Sequence, residues 1–494
     1  MNDRTPTLSD ETLEGYGMRS KARCRVARPR SPAELAAAFR AASASGQTVA
    51  LRGAGCSYGD AALNAGAIVV DCSLMNRILA WDPTTGEATV EPGVTIADLW
   101  QHTLADGWWP PVVPGTMAVS VGGATAANIH GKNNWRDGSF GEHVTRFTLL
   151  LPTGQVVECS RDINPDLFYA AIGGMGLLGA FISITLRLRR IYSGLVHVRQ
   201  TAHPSLAELL AAVEAGTRDA THLVGWIDTA ARGRQLGRGL LKAMREPAPG
   251  EDPNPAASLD PASQPPSGRI LGVLPVTWIP VLGKPMASQL GTRLANRAQW
   301  VRGNLPGADR QHDERYVPAN FMLNFIPNFK SIYRPGGLIQ HQSFVPRDAA
   351  PAVFREILAR SQAAGLAPSL AVLKKHRPSP FLLNYLVDGY SLALDYAVPR
   401  RVEARMAALM AELNALVADS GAFFLAKDST LTAADFRRTY APETLARFAA
   451  LKAQCDPHEL LQSDIYRRVM RPALAATFQA TREPTRRDAT APAS

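Results

Sequence analysis

The period of the apolar positions changes several times in the first 190 residues, and each change predicts an element. Ser31-Pro32-Ala33-Glu34-Leu35 opens an amphipathic helix, with Ser31 as its N-cap and Pro32 in its first position, and the helical period ends near Ser45-Gly46. Thr48 to Arg52 then reads as a strand, Ala67-Ile68-Val69-Val70-Asp71 as a short buried one, and Glu87 to Pro92 as a third that alternates. Thr95 to Leu104 is helical again, and Trp108-Trp109-Pro110-Pro111 leads extended chain onward. Strands and helices mixed in this way suit an α+β domain.

Further along, Pro165 to Ala171 reads as a helix and Ala180 to Leu188 as a strand. Between them, Gly174-Met175-Gly176-Leu177-Leu178-Gly179 matches the G-x-G-x-x-G fingerprint of nicotinamide-binding folds. That fingerprint must follow a strand and open a helix, and here the order is reversed, so the glycines serve close packing. Beyond residue 190 the pattern loosens. Glu246 to Arg269 is rich in Pro, Ala, Ser and Asp, too poor in large apolar residues to order itself, and reads as a flexible loop. Ile270 to Gly283 is uncharged but short and proline-broken, which fits a buried part of a second domain or a lipid-facing patch rather than a bilayer span. Strand signals return at Gly337 to Pro346 and Tyr390 to Tyr396, and helical ones at Ala349 to Ala364 and Arg401 to Ser420. The last 20 or so residues read as a disordered tail.

Composition narrows the function classes. Of 494 residues, 46% are hydrophobic and 19% charged, an ordinary globular balance on a chain too long for one core. The net charge of +10 is scattered among acids instead of gathered into aromatic-interleaved runs, so nucleic acid is not expected as a partner. Phosphorylated substrates or an anionic membrane surface remain compatible with it. Cys24, Cys56, Cys72, Cys159 and Cys455 are odd in number and lack a CxxC pair, which argues against a disulfide framework and a structural zinc. No metal site is expected. The polar stretch Met1 to Ser31 lacks the apolar core of a signal peptide, and no window approaches a membrane span, so a cytoplasmic protein is expected, with peripheral contact to the inner membrane left open.

The chemistry concentrates between Arg52 and Gly141. Two glycine-punctuated loops stand there, Arg52-Gly53-Ala54-Gly55-Cys56-Ser57-Tyr58-Gly59-Asp60 and Pro114-Gly115-Thr116-Met117-Ala118-Val119-Ser120-Val121-Gly122-Gly123, and Ile129-His130-Gly131-Lys132-Asn133 closes the second. Backbone poor in side chains lets N–H groups converge on an anion, so the loops read as two halves of a dinucleotide cradle.

These motifs resemble the flavin-binding domain of the vanillyl-alcohol oxidase (PCMH-type) superfamily, and within it the members that oxidise polyprenyl-phosphate sugars. Gly138-Ser139-Phe140-Gly141, Gly336 to Gln342, Phe424-Leu425-Ala426-Lys427-Asp428-Ser429 and Asp456-Pro457 with Ser463-Asp464 are similar in kind and order. The resemblance implies an α+β fold: a two-subdomain FAD-binding domain over 15–190, a substrate or cap domain on an antiparallel sheet over 191–425, and a segment over 426–472 returning to the first domain. Residues 473–494 would form the tail. It implies FAD, held without a covalent bond by Arg52, Gly53, Ala54, Gly55, Cys56, Ser57, Tyr58, Gly59, Asp60, Gly115, Ser120, Val121, Gly122, Gly123, Ala127, Asn128, Ile129 and His130, with Phe181 and Phe424 near its ends. Catalytic roles would fall to Lys427, His130, Lys132 and Tyr58, and substrate contacts to Gln340, Gln342, Val372, Lys374, Ser391 and Ala393. The implied reaction is oxidation of a sugar hydroxyl, the 2'-hydroxyl of a polyprenyl-phosphate pentose, with hydride passing to flavin N5. A short-chain reductase would complete the epimerisation to the arabinose donor. An aldonolactone or alditol oxidation of a small soluble sugar is the alternative, since one fold serves both.

Oxidising a secondary alcohol needs an acceptor for the hydroxyl proton and a positive partner for the electrons delivered. Lys427 suits the second role, Lys132 and Lys374 could also meet a phosphate, and His130 or a lysine suits the first. Each residue also has a plainer reading: His130 bonding backbone in a turn, Lys427 on a solvated loop, Gln340 and Gln342 on an exposed sheet face, Tyr58 as a shield. Related sugar oxidases often carry a flavin-linking His where this chain has Cys56, which removes a histidyl bond and makes a small buried thiol the simplest reading there. Ser391 and Ala393 depart from the Asn and Cys of the mycobacterial pattern and leave the sugar open.

Overall fold

The computed structural model describes residues 6–265, 269–270, 274–275, 283–284, 288–309, 311–324 and 329–475. Most of the uncharged stretch from Ile270 to Gly283, and residues 476–494 of the expected tail, lie outside the described residues.

The first sheet has the order β1-β2-β4-β3, built from β1 (Ser9–Glu14), β2 (Lys21–Ala27), β3 (Val49–Arg52) and β4 (Ile68–Asp71). Helix α1 (Pro32–Ala44) joins β2 to β3, and its cap is the expected one: the Ser31 hydroxyl accepts from the Glu34 amide and Pro32 leads the helix. Its buried Leu35, Ala38, Phe39 and Ala42 meet Val49, Ile68 and Val70 in one apolar cluster that Leu460 and Leu461 complete. The second sheet has the order β5-β6-β9-β7-β8, from β5 (Ile78–Asp82), β6 (Glu87–Val90), β7 (Val144–Leu150), β8 (Val156–Ser160) and β9 (Ala180–Arg187). With it go α2 (Ile96–Thr103), capped reciprocally by Thr95 and Asp98, α3 (Val121–Ala126) and α4 (Pro165–Ala171). Helix α4 does precede the G-x-G-x-x-G run and strand β9 does follow it, the reverse of a nicotinamide site.

The region from Leu195 to Phe423 is organised on one eight-stranded antiparallel sheet, ordered β13-β10-β12-β11-β15-β16-β14-β17. Its strands are β10 (Leu195–His203), β11 (His222–Ile227), β12 (Gly239–Arg245), β13 (His312–Arg315), β14 (Leu338–Pro346), β15 (Leu370–His376), β16 (Gly389–Ala397) and β17 (Ala422–Phe423). The chain is thus a mixed α and β fold with a large antiparallel sheet. Helices α5 (Leu206–Gly216), α6 (Gln289–Gly303), α7 (Ala350–Ala363) and α8 (Glu403–Ala418) pack on it, while α9 (Pro442–Cys455) packs against α4, with Arg447 paired to Asp166. A side chain built at Gly225 of β11 would meet Leu209 of α5, and Ser361 of α7 hydrogen-bonds the Tyr396 hydroxyl at 2.8 Å, so these helices cover one face. The other face, carrying Asp395 beside Tyr396, is left for the cavity described below.

Two expectations need adjusting. The helix anticipated from Arg401 begins as a tighter turn at Arg400–Val402 before α8 proper. The segment after Glu246 has little apolar content, as composition says, yet its first part is tied down by polar contacts. Ser258 accepts the Gly194 amide at 2.9 Å, and buried Gln264 donates to the Gly194 carbonyl at 2.9 Å while accepting from the Val317 amide at 3.0 Å. Short helical turns at Pro255–Ser258 and Pro261–Ser263 are capped by Asn254 and Asp260.

Candidate active site

The first glycine loop leaves the end of β3, and the second runs into α3. Ser120 joins them: its hydroxyl caps α3 by accepting from the Gly123 amide at 3.3 Å and also accepts from the Ala54 amide at 3.4 Å. A Cβ at Gly53 would stand 2.2 Å from that hydroxyl, so only glycine lets the two loops approach. Gly55 has φ +68°, where a side chain would be strained. Among the described residues the amides of Gly55, Cys56 and Ser57 make no backbone hydrogen bond, which leaves three donors for a ligand on a loop that lines the cavity.

The third piece arrives late in the chain. The Tyr58 amide donates to the Ala426 carbonyl at 2.9 Å, which sets Lys427 over the Tyr58 ring with Nζ 3.8 Å from its centroid. The turn that presents Lys427 is clamped from behind, since Asp428 accepts from the Thr430 and Leu431 amides at 2.6 and 2.8 Å and from Arg468 at 2.9 Å. Arg468 in turn bridges to Asp60 at 2.9 and 3.0 Å.

These loops roof a cavity of about 610 Å³ whose floor is the free face of the eight-stranded sheet. The register explains which side chains reach it. Gln340 of β14 pairs with Asp395 of β16 and that with Leu370 of β15; Gln342 pairs with Ala393, Ala393 with Val372, and Val372 with Trp226. Trp226 pairs with Leu240, and Val224 and Gln200 with Lys242. A two-residue period carried across six strands thus delivers one continuous surface. Helix α6 closes the side with Ala295, Asn296 and Gln299.

Burial sets the charge states. Lys374 is pushed down to about 8 by desolvation. Lys427 is lowered by burial and Asp395 raised by it, while the attraction between the two works against both shifts. Gln340 holds Asp395 with an amide hydrogen bond. His130 is kept neutral by burial and by the neighbouring lysines. Its Nε2 stands 3.0 Å from the Gln342 amide nitrogen, and its Nδ1 is buried without a partner among the described residues. Gln342 also donates to Ser391 at 3.4 Å, whose hydroxyl meets His376 at 2.8 Å, and His376 meets Asn134 at 3.0 Å. A buried polar chain therefore runs away from the cavity behind His130. The Lys132 ammonium is held by the carbonyls of Ala319, at 3.2 Å, and Asn320, and its proton affinity is lowered by burial.

Of the residues singled out in the sequence, Gly53 to Tyr58, Gly115, Ser120, Gly123, Ala127, Ile129, His130, Lys132, Gln340, Gln342, Val372, Lys374, Ala393, Phe424 and Lys427 line the cavity. Others stand behind its wall. Arg52 bonds the carbonyls of Ala62 and Glu14, Gly59 lies against the Asp428 carbonyl, and Asp60 holds Arg468. Gly122 packs on Pro92, Val121 and Phe181 are in the apolar core, Asn128 accepts the Gly141 amide at 3.0 Å, and Ser391 belongs to the His376 chain. Asp395, His376, Trp226, Lys242 and Gln200 were not anticipated. The signal for Asp395 was present, because it continues the two-residue period of Ser391 and Ala393.

The fit to FAD rests on this geometry: a glycine cradle that a Cβ would fill, amides without backbone partners, the half-buried Lys427 amine over the Tyr58 ring, and orphan polar atoms at Tyr58 and His130. Residues 25–160 match the model of the family described as the FAD binding domain. Decaprenylphosphoryl-beta-D-ribose oxidase of Mycolicibacterium smegmatis is 29% identical over 480 residues, spanning 94% of this chain and 98% of its own. An uncharacterized protein in the mprA 5' region of Streptomyces coelicolor is 29% identical over 383 residues, 76% of this chain and 100% of its own. L-gulonolactone oxidase of Mus musculus is 30% identical over 183 residues, 37% of this chain and 40% of its own. Both glycine loops lie within the matched segment, so the chain carries an FAD-binding domain and is an FAD-linked oxidoreductase.

Proposed function

We propose that the chain oxidises the 2'-hydroxyl of a polyprenyl-phosphate pentose to a ketone, leaving a short-chain reductase to complete the epimerisation. The observation that carries this reading is the cavity itself, which runs from the glycine loops over a floor bearing Gln340, Gln342, Asp395 and Lys374. The 29% likeness to decaprenylphosphoryl-beta-D-ribose oxidase over nearly the whole of both chains supports it. In domain terms, 15–190 would hold the cofactor, 191–425 the substrate, and 426–472 would return Lys427 to the cofactor side.

Gly53 to Tyr58, Gly115, Ser120, Gly123 and Phe424 would hold the FAD, which when bound supplies the acceptor for the two electrons and the hydride. The chain's own work is to orient and to move a proton. Gln340 and Asp395 present a donor and an acceptor to sugar hydroxyls, and Lys374, charged below about pH 8, suits the phosphate. Lys427, its proton affinity lowered by burial, takes the hydroxyl proton, and the ammonium so formed stabilises the negative charge delivered by oxidation. Neutral His130, tethered to Gln342, positions that glutamine.

A second reading, oxidation of an aldonolactone or alditol, draws on the likeness to L-gulonolactone oxidase over 37% of the chain. Anaerobic titration of the yellow holoprotein separates the two. Bleaching by a polyprenyl-phosphoryl ribose, with free lactones and polyols inert, is expected; no bleaching by any polyprenyl-phosphate sugar would overturn the proposal.

A further inference from the structure

Helix α6 is built inside out. Its buried residues are Thr292, Asn296 and Gly303, with Asn296 donating to the Thr229 hydroxyl at 2.8 Å. Its exposed residues include Leu290, Leu294 and Val301, which are 67%, 61% and 50% exposed, and Leu305 just beyond its end is 55% exposed. At 100° per residue the three side chains on the helix fall within a stripe about 40° wide, the opposite of what a soluble surface helix presents. Arg293, Arg297 and Arg302 are exposed with them, and the helix carries no Asp or Glu. The inner side of the same helix, through Ala295, Asn296 and Gln299, is a wall of the cavity.

We propose that α6 docks this chain on the surface of an anionic lipid bilayer, with the leucines seated among the acyl chains and the arginines on the headgroups. Arginines interleaved with an apolar stripe, unrelieved by acids, are complementary to anionic lipid rather than to a neutral surface. One helix then separates membrane from cavity, so a lipid-linked substrate can reach the floor of the sheet while its polyprenyl tail stays in the bilayer. The inference deepens the reading of the site given above and rests on it for the nature of the lipid.

The test is flotation of the full-length holoprotein with vesicles of phosphatidylcholine alone and of phosphatidylcholine with phosphatidylglycerol. Wild-type protein is expected to float with the anionic vesicles and to be released by salt. Arg293→Gln and Arg297→Gln should each lower partition about fivefold, the factor that corresponds to one basic residue near an anionic surface. Leu290→Glu with Leu294→Glu should lower it more than tenfold, and as both side chains are exposed the fold and the bound flavin should persist. Equal partition to both vesicles, or no change in the leucine variant, would overturn the inference. So would a wild-type dimer that the leucine variant converts to monomer while neither binds vesicles, since the stripe would then be covered by a second copy. A polyprenyl-phosphoryl ribose with its tail cut to a water-soluble length reads the site separately. Its turnover should be unchanged in the leucine variant, whereas loss of turnover in the wild type would tell against the substrate and not against the docking.

Discussion

Lys427 sits where three parts of the chain meet, over the Tyr58 ring, beside Asp395 of β16 and in front of the Asp428–Arg468 clamp. Replacing it with Met keeps the stem but removes the amine, and flavin reduction in anaerobic stopped flow should slow by about 10² to 10⁴, with substrate affinity changed far less. Lys374 makes a different prediction. Burial lowers it to about 8, so its charge is present below that pH and lost above it. KM for a phosphate-bearing substrate should therefore rise as pH passes upward through about 8, and Lys374→Met should show a high KM with no such rise. At this scale the sequence was half legible. Gln340 and Gln342 announce a shared face by their spacing, and Lys427 stands out beside its family motif. His376 was not legible, because its partners Asn134 and Ser391 lie 242 and 15 residues away and only the fold brings them together.

Elements carry the next predictions. Gly53→Ala places a methyl group where Ser120 Oγ now stands, 2.2 Å away, and relieving that clash should cost about 1–3 kcal/mol of cradle geometry. The ratio of flavin to protein absorbance in the purified variant should fall accordingly, while far-ultraviolet circular dichroism stays native. At the other end, Asp456 accepts from the amides of Leu460 and Leu461 at 2.8 and 2.7 Å and pairs with buried Lys452. Asp456→Ala would leave that ammonium buried without its counter-ion, held only by the Leu461 carbonyl at 2.9 Å, and urea unfolding should show a loss of about 3–5 kcal/mol. Before residue 190, helices α1, α2 and α4 and strands β3, β4, β6 and β9 were legible in the sequence, whereas α3 and strands β1, β2, β5, β7 and β8 were not anticipated. Strand β11, His222–Ile227, was not, since five of its six residues are buried and the alternation that marks a strand disappears. Strands β10 and β12 hid for another reason: their cavity-facing Gln200 and Lys242 break the apolar count.

Among the described residues a four-, a five- and an eight-stranded sheet, with two two-stranded ribbons, are arranged about a glycine-edged cavity, and no helix is long and apolar enough to cross a membrane. Because the cavity draws on all three regions, cofactor and fold are linked. Added FAD should raise the unfolding free energy by about 2.7 kcal/mol at a free concentration 100 times its Kd, readable as a shift in Tm that Gly53→Ala abolishes. The contacts of β3 with the far end of the chain reach further than stability. Val49 donates to the Leu460 carbonyl and accepts from the Gln462 amide, Asp60 waits for Arg468, and Tyr58 for Ala426. During synthesis the glycine loops leave the ribosome some 370 residues before the segment that seats them, at about 5–20 residues per second. The nascent chain therefore spends its translation without a finished flavin site, and cofactor capture becomes the closing event of its biogenesis.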